Sequence, residues 1–248
     1  MIAVISPAKT LDYETPLPSV EPTRPRFADE ALSLARSAAN LTQKRLRELM
    51  HISPALAKLN ADRFAGFADQ PERPAIFAFA GDVYTGLDAA TLDEAQIDYA
   101  QDHLRMLSGL YGLLRPLDLM RPYRLEMGTH WAPRRKKLTD WWGDRVAAAL
   151  AEDLAASGSD IVLNLASQEY WAAVDGRLPG DVRVVAVDFR EGADARFVSF
   201  HAKQARGAMA RWVVEHRIED VASLRGFDTD GYRFDAEASS DAQLRFVR

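Results

Sequence analysis

Short, continuous apolar runs alternate along this chain with longer segments whose apolar residues recur every three to four positions. Residues 2–5, 76–80, 161–165, 183–189 and 196–200 are of the first kind and predict strands. Residues 27–67 are of the second kind. Within them 27–39 is rich in Ala and Leu, 41–50 keeps helical spacing, and Ser53-Pro54 offers an N-cap followed by proline at the first helical position. Thr91-Leu92-Asp93-Glu94 reads as a capping box, and the helix it opens carries Leu92, Ala95, Tyr99, Ala100, His103, Leu104 and Leu107 on one stripe. A further helix is predicted over 140–156, and the spacing from Ser199 to Trp212 is again helical. Strands thus alternate with helices, which predicts a mixed α/β protein with a central sheet. The intervals between strands are too irregular for a regular doubly wound fold.

With 248 residues the chain is long enough for a sizeable core. Pro16, Pro18, Pro22 and Pro25 make the segment before residue 27 an extended surface connection rather than a domain linker. The absence of cysteine excludes disulfides and thiolate metal sites. The first strand runs straight into Ser6-Pro7-Ala8-Lys9 without the layout of a signal peptide, and no apolar stretch has the length of a membrane span. Together these predict a cytoplasmic protein. A net charge of −5 argues against nucleic-acid binding by bulk charge, so such a partner would need a local basic patch.

The stretch 104–128, LRMLSGLYGLLRPLDLMRPYRLEMG, is the most unusual in the chain. Its arginines Arg105, Arg115, Arg121 and Arg124 stand against only Asp118 and Glu126, and two Arg-Pro dipeptides force repeated turns. It reads as a helix end, a hairpin on Gly109 and Gly112, and then a short helix or turn with free N–H groups near 110–113. Such groups beside arginines form an anion site. The alternative is a tight turn whose arginines pair with Asp118 and Glu126. Lys9, just past the first strand, and Asp82 with Tyr84, just past the second, lie where ligands collect at the carboxyl rim of open α/β sheets. Asn164 lies at the end of the third strand with Ser167, Glu169 and Tyr170 close behind, and Asp188 lies near the end of the fourth. On a helix, Lys203, Gly207 and Arg211 fall four apart with Arg206 beside them, so three cations share a face around a glycine. Close approach of a ligand and tight packing on a neighbouring helix both account for that glycine.

The blocks SPAKTLDY (6–13), AGDVYTGL (80–87), 104–128, WWGD (141–144), NLASQEY (164–170), SFHAKQARGAMAR (199–211) and GFDTDGYRFD (226–235) resemble, in order and over nearly the whole chain, the YaaA family of bacterial peroxide stress proteins. The resemblance implies a single domain over 1–248 with a fold particular to the family, a central mixed sheet flanked by helices. It also implies a helix-hairpin-helix element and a positively charged cleft for duplex or branched DNA, with protection from peroxide by limiting free intracellular iron. The hairpin falls on Ser108, Gly109, Leu110, Tyr111 and Gly112, with two residues between the glycines where the usual element has one. The DNA-binding cations it implies are Lys9, Arg105, Arg115, Arg124, Lys203, Arg206 and Arg211.

Two classes of function follow. In the first, hairpin and arginines hold DNA phosphates without reading sequence. In the second, the polar residues at the strand ends form an enzyme site for a nucleotide or nucleic acid. There Lys9 or Lys203 stabilises a phosphate, and Glu169 or Asp82 serves as acid or base. The five histidines are scattered, with only Glu126 and His130 at ligand spacing, so no metal site is predicted. No P-loop, nucleophile elbow or dinucleotide fingerprint occurs, and no cofactor is expected.

Overall fold

A computed structural model describes residues 1–248 and builds them around a seven-stranded sheet. Its strands are β1 (Ile2–Ile5), β2 (Leu104–Ser108), β3 (Gly112–Leu114), β4 (Ile161–Asn164), β5 (Arg183–Arg190), β6 (Arg233–Asp235) and β7 (Gln243–Val247). They lie in the order β6-β7-β5-β4-β1-β2-β3. The five inner strands are parallel, and β6 and β3 pair antiparallel at the two edges. Every residue of β1 and β2 is buried; β1 reads as an unbroken apolar run for that reason, whereas β2 carries Arg105 and Ser108 among its apolar residues.

Seven helices of six or more residues surround the sheet. They are α1 (Ala28–Ala38), α2 (Gln43–Met50), α3 (Pro54–Ala65), α4 (Asp82–Leu87), α5 (Glu94–His103), α6 (Arg145–Ser157) and α7 (Ser199–His216). Ser53 caps α3 by accepting from the Leu56 N–H, with Pro54 in the first turn as its sequence implies. The capping box belongs to Asp93 and Gln96 rather than to Thr91 and Glu94. Two such patterns overlap here, and the Thr91 hydroxyl instead donates to the Asp88 carbonyl.

Three further expectations are corrected. The helix expected to reach Leu107 stops at His103, because 104–106 pair with β1 and Leu107 with β3, and buried strand pairing outweighs helical spacing. In 76–80 only Phe79 and Ala80 are extended, pairing with Thr10 and Leu11, while residues 75–78 form one helical turn. No strand forms over 196–200, where α7 begins at Ser199 and leaves Phe197 and Phe200 facing solvent.

Helix α7 lies across β1 and β5 and packs on α4 with almost no side chain between them. Gly207 and Gly86 make that possible. A Cβ on Gly207 would lie 1.8 Å from the Val83 carbonyl oxygen, and one on Gly86 would lie 2.0 Å from that of Gln204. The glycine among the cations is thus a packing glycine. Gly207→Ala is expected to lower stability by about 3 kcal/mol, because backbone must move to admit the methyl. Urea unfolding measures this, and a wild-type midpoint would refute backbone-level contact between the two helices.

Candidate functional site

The strand order reverses between β1 and β4. The chain builds outward from β1 to β2 and β3, then crosses to β4 and β5 on the other side. In open parallel sheets the crevice at such a reversal, outside the carboxyl ends of the strands, is where ligands are bound. Here the loops leaving β1 and β4 are tied together across it. The Ser6 hydroxyl accepts from the Ser167 N–H at 2.9 Å and donates to the Ser167 hydroxyl at 3.3 Å. The buried Tyr84 hydroxyl donates to the Ser6 carbonyl at 3.2 Å and fixes the loop from below.

Above this tie lies a cavity of about 410 Å³ that brings together Lys9, Asp82, Glu169, Lys203 and Arg206. Lys203 Nζ stands 3.7 Å from Asp82 Oδ2. A second cavity of about 470 Å³ shares Lys9 and Glu169 and adds Arg124, Glu126, Thr129 and His130. There Glu126 Oε1 lies 3.4 Å from Lys9 Nζ and accepts from Arg124 Nε at 3.2 Å. A third, of about 580 Å³, shares Ser167, Glu169, Lys203 and Arg206 and adds Asp188, Arg190, Trp171 and Phe197. The three form one cleft along the carboxyl rim. Glu169 lines all three, its Oε1 accepting from the Gly128 N–H at 3.3 Å.

Arg206 differs from the other cations of the cleft. Burial pushes its pKa down, against the raising effect of Asp188, and its Nε is shielded from solvent with no hydrogen-bond partner. Asp188 is itself engaged, accepting from Arg190 Nε at 2.8 Å and from Arg245 Nε at 3.1 Å. Under the cleft sit Tyr84, Tyr123 and Tyr170, all buried, with Tyr123 Oη 2.6 Å from Ser108 Oγ. Burial is the first cause that raises each of their pKa values above 10.0.

The stretch 104–114 is a β-hairpin and places none of its residues on the cleft. Ser108, Gly109, Tyr111 and Gly112 are buried, so the helix-hairpin-helix reading of 108–112 is replaced by β2, a turn and β3. The Tyr111 N–H donates to Ser108 Oγ and the Leu113 N–H to the Tyr111 carbonyl, so those donors serve the turn itself. Gly109 is required because a Cβ there would lie 2.1 Å from the Leu125 carbonyl oxygen. Gly112, at φ +68°, lies against the Trp142 ring, whose Nε1 donates to the Gly109 carbonyl. Arg105 is buried with its Nε 2.6 Å from Asp153. Arg115 pairs with Asp118 at 2.9 Å, and Arg121 with Glu72 at 2.9 Å. Arg211 pairs with Glu215 and donates to the Leu87 and Asp88 carbonyls at the end of α4. Of the expected cations, Lys9, Arg124, Lys203 and Arg206 therefore remain in the cleft. Ser6, Arg190 and Phe197 also line it. Ser6 and Arg190 had a readable signal, since each lies at the carboxyl end of a strand.

A profile of the family described as peroxide stress protein YaaA matches residues 1–238. The chain belongs to that family. It is 59% identical over 251 residues to a UPF0246 protein of Rhizorhabdus wittichii, covering 100% of this chain and 99% of the relative. It is 51% identical over 255 residues to a UPF0246 protein of Dinoroseobacter shibae, covering 100% of this chain and 95% of the relative. No helix of this YaaA-family chain is long and apolar enough to cross a membrane.

The buried tyrosines give this YaaA-family protein a defined alkaline limit. Tyr111, pushed up to about 12 by burial, joins Tyr84, Tyr123 and Tyr170 in binding its proton more tightly folded than unfolded. Below pH 10 these groups are neutral in both states and their stabilising contribution is complete. As pH rises above 10 the unfolded chain loses protons that the folded chain keeps, and stability falls. Tyrosinate absorbance from these residues is expected to appear together with loss of near-UV circular dichroism. Their ionisation in a still-folded protein just above pH 10 would contradict this.

Proposed function

We propose that this protein serves the peroxide stress response by holding DNA phosphates in the cleft along the carboxyl rim of the sheet. The observation that carries the reading is the convergence of Lys9, Arg124, Lys203 and Arg206 on three adjoining cavities of an otherwise acidic chain. Asp82 and Glu126 stand beside these cations, yet Lys9 and Lys203 are more than half exposed. Ion pairs of that kind are weak and exchange readily for a phosphate. Phosphate contacts of this sort supply affinity without sequence preference. Limitation of free intracellular iron is proposed as an indirect consequence, with no residue assigned to iron. On this reading the family's work is done in the cleft and not on the 108–112 turn. Binding of labelled duplex and branched DNA across a salt series tests it. Wild type should weaken steeply with salt, and Lys203→Ala/Arg206→Ala should flatten the log–log slope by roughly two, about 0.9 for each phosphate no longer neutralised. Absence of binding by wild type at modest salt would refute it.

A second reading, an enzyme acting on a nucleotide or nucleic acid, is favoured by the carboxylates Asp82 and Glu169 at the strand-order reversal, the usual place for chemistry on such sheets. Glu169 would serve as acid or base while Lys9 or Lys203 holds the phosphate. Glu169→Gln separates the two readings: it leaves DNA affinity unchanged or tighter, because it removes a negative charge, and abolishes any turnover that depends on the carboxylate.

A further inference from the structure

Five large hydrophobic side chains of this protein are exposed, and two of them are aromatic. These are Phe197 at 53% and Phe200 at 51% exposure, three residues apart where the chain enters α7. Single exposed apolar residues are ordinary, but two phenyl rings half open to solvent three residues apart leave a contiguous apolar surface uncovered. Their position is specific. Phe197 lines the third cavity of the cleft together with Trp171, Arg190, Lys203 and Arg206. The Arg190 guanidinium lies 5.7 Å from its ring centroid, a cation–π contact that anchors the ring at the cavity edge. Phe200 precedes Lys203 by three residues on α7, so the two side chains are neighbours on the helix surface.

Cations interleaved with exposed aromatic rings are the arrangement by which proteins hold unpaired nucleic acid. The cations follow the backbone, and the rings stack on bases whose faces are free. A duplex offers no free base face along its length. We infer that the third cavity takes an unpaired DNA strand, with bases stacked on Phe197 and Phe200 and adjacent phosphates held by Lys203 and Arg206. The inference rests on the phosphate-binding reading above and names the form of DNA that the cleft prefers. The cavity, about 580 Å³, has the size of a pocket for a compact ligand such as one nucleotide rather than of a groove for a double helix.

The test compares an oligothymidylate of about a dozen nucleotides with a duplex of the same length, within the range of single-strand site sizes. Full-length wild type, Phe197→Ala/Phe200→Ala and Lys203→Ala/Arg206→Ala are titrated across a salt series. Wild type should bind the single strand more tightly. Removing both rings should weaken single-strand binding about thirtyfold or more and change duplex binding less than about twofold, with an unaltered salt slope, since stacking releases no counterions. The cation variant should weaken both and flatten the slope. Both rings are exposed, so the aromatic variant should keep the wild-type thermal midpoint, which guards against misfolding as the cause. Unchanged single-strand affinity after loss of both rings overturns this inference while leaving the phosphate reading intact, as does equal weakening on both probes. Failure of wild type to bind either probe removes the phosphate reading and this inference with it.

Discussion

The structure depends on the placement of β1 between β2 and β4. Four residues long and wholly buried, β1 satisfies its backbone groups only through parallel ladders on both sides, with Leu104–Met106 on one and Val162–Asn164 on the other. The partners are roughly a hundred residues or more away in the chain. Once they are in register, the strand order must reverse at β1, and the loops after β1 and β4 must emerge side by side. The Ser6–Ser167 tie follows from that register, and so does the position of Lys9 and Glu169 on a common cleft. Helix α7 completes the arrangement by lying across β1 and β5 and bringing Lys203 and Arg206 to the same rim. It can approach closely enough because Gly207 and Gly86 remove the side chains between it and α4.

The parts of this arrangement legible in the sequence are those fixed by local pattern. The runs at 2–5, 161–165 and 183–189 announce strands, and the residues just past them land on the carboxyl rim because parallel strands end there together. Lys9 and Glu169 are found in this way, Asp82 from the run at 76–80 of which only Phe79 and Ala80 are extended, and Lys203 and Arg206 from the helical spacing of 199–212. The residues misread in 104–115 are those whose role is set by distant partners. Arg105 is an ordinary basic residue until Asp153, 48 positions on, takes its guanidinium. Gly109 suggests a phosphate turn until the Leu125 carbonyl fills the space beside it. Neither partner is visible from local spacing. The C-terminal strands β6 and β7 are a different case. Leu244 and Phe246 alternate with more exposed neighbours in Gln243–Val247, so the period-two signal was present in the chain's last residues.

A cleft built from both signs of charge sorts its ligands differently from a uniformly basic groove. Lys9, Arg124 and Lys203 each lie beside a carboxylate, and the pairs of the two exposed lysines hold them near the rim without neutralising them in solvent. Arg206 stands apart. Its guanidinium keeps its proton at any physiological pH, so burial cannot be relieved by deprotonation as it could for a lysine. Asp188, whose charge acts on it, already accepts from Arg190 and Arg245. An oxyanion reaching the Arg206 guanidinium from the cleft would gain a charge-assisted hydrogen bond in a partly desolvated setting, where such bonds are strongest. The exposed lysines then contribute mainly attraction at a distance, and Arg206 contributes the directional contact. Under the proposed function, that division would let a chain with a net charge of −5 take a phosphate, because the contact would depend on one partly buried guanidinium and its immediate neighbours rather than on the sign of the whole surface.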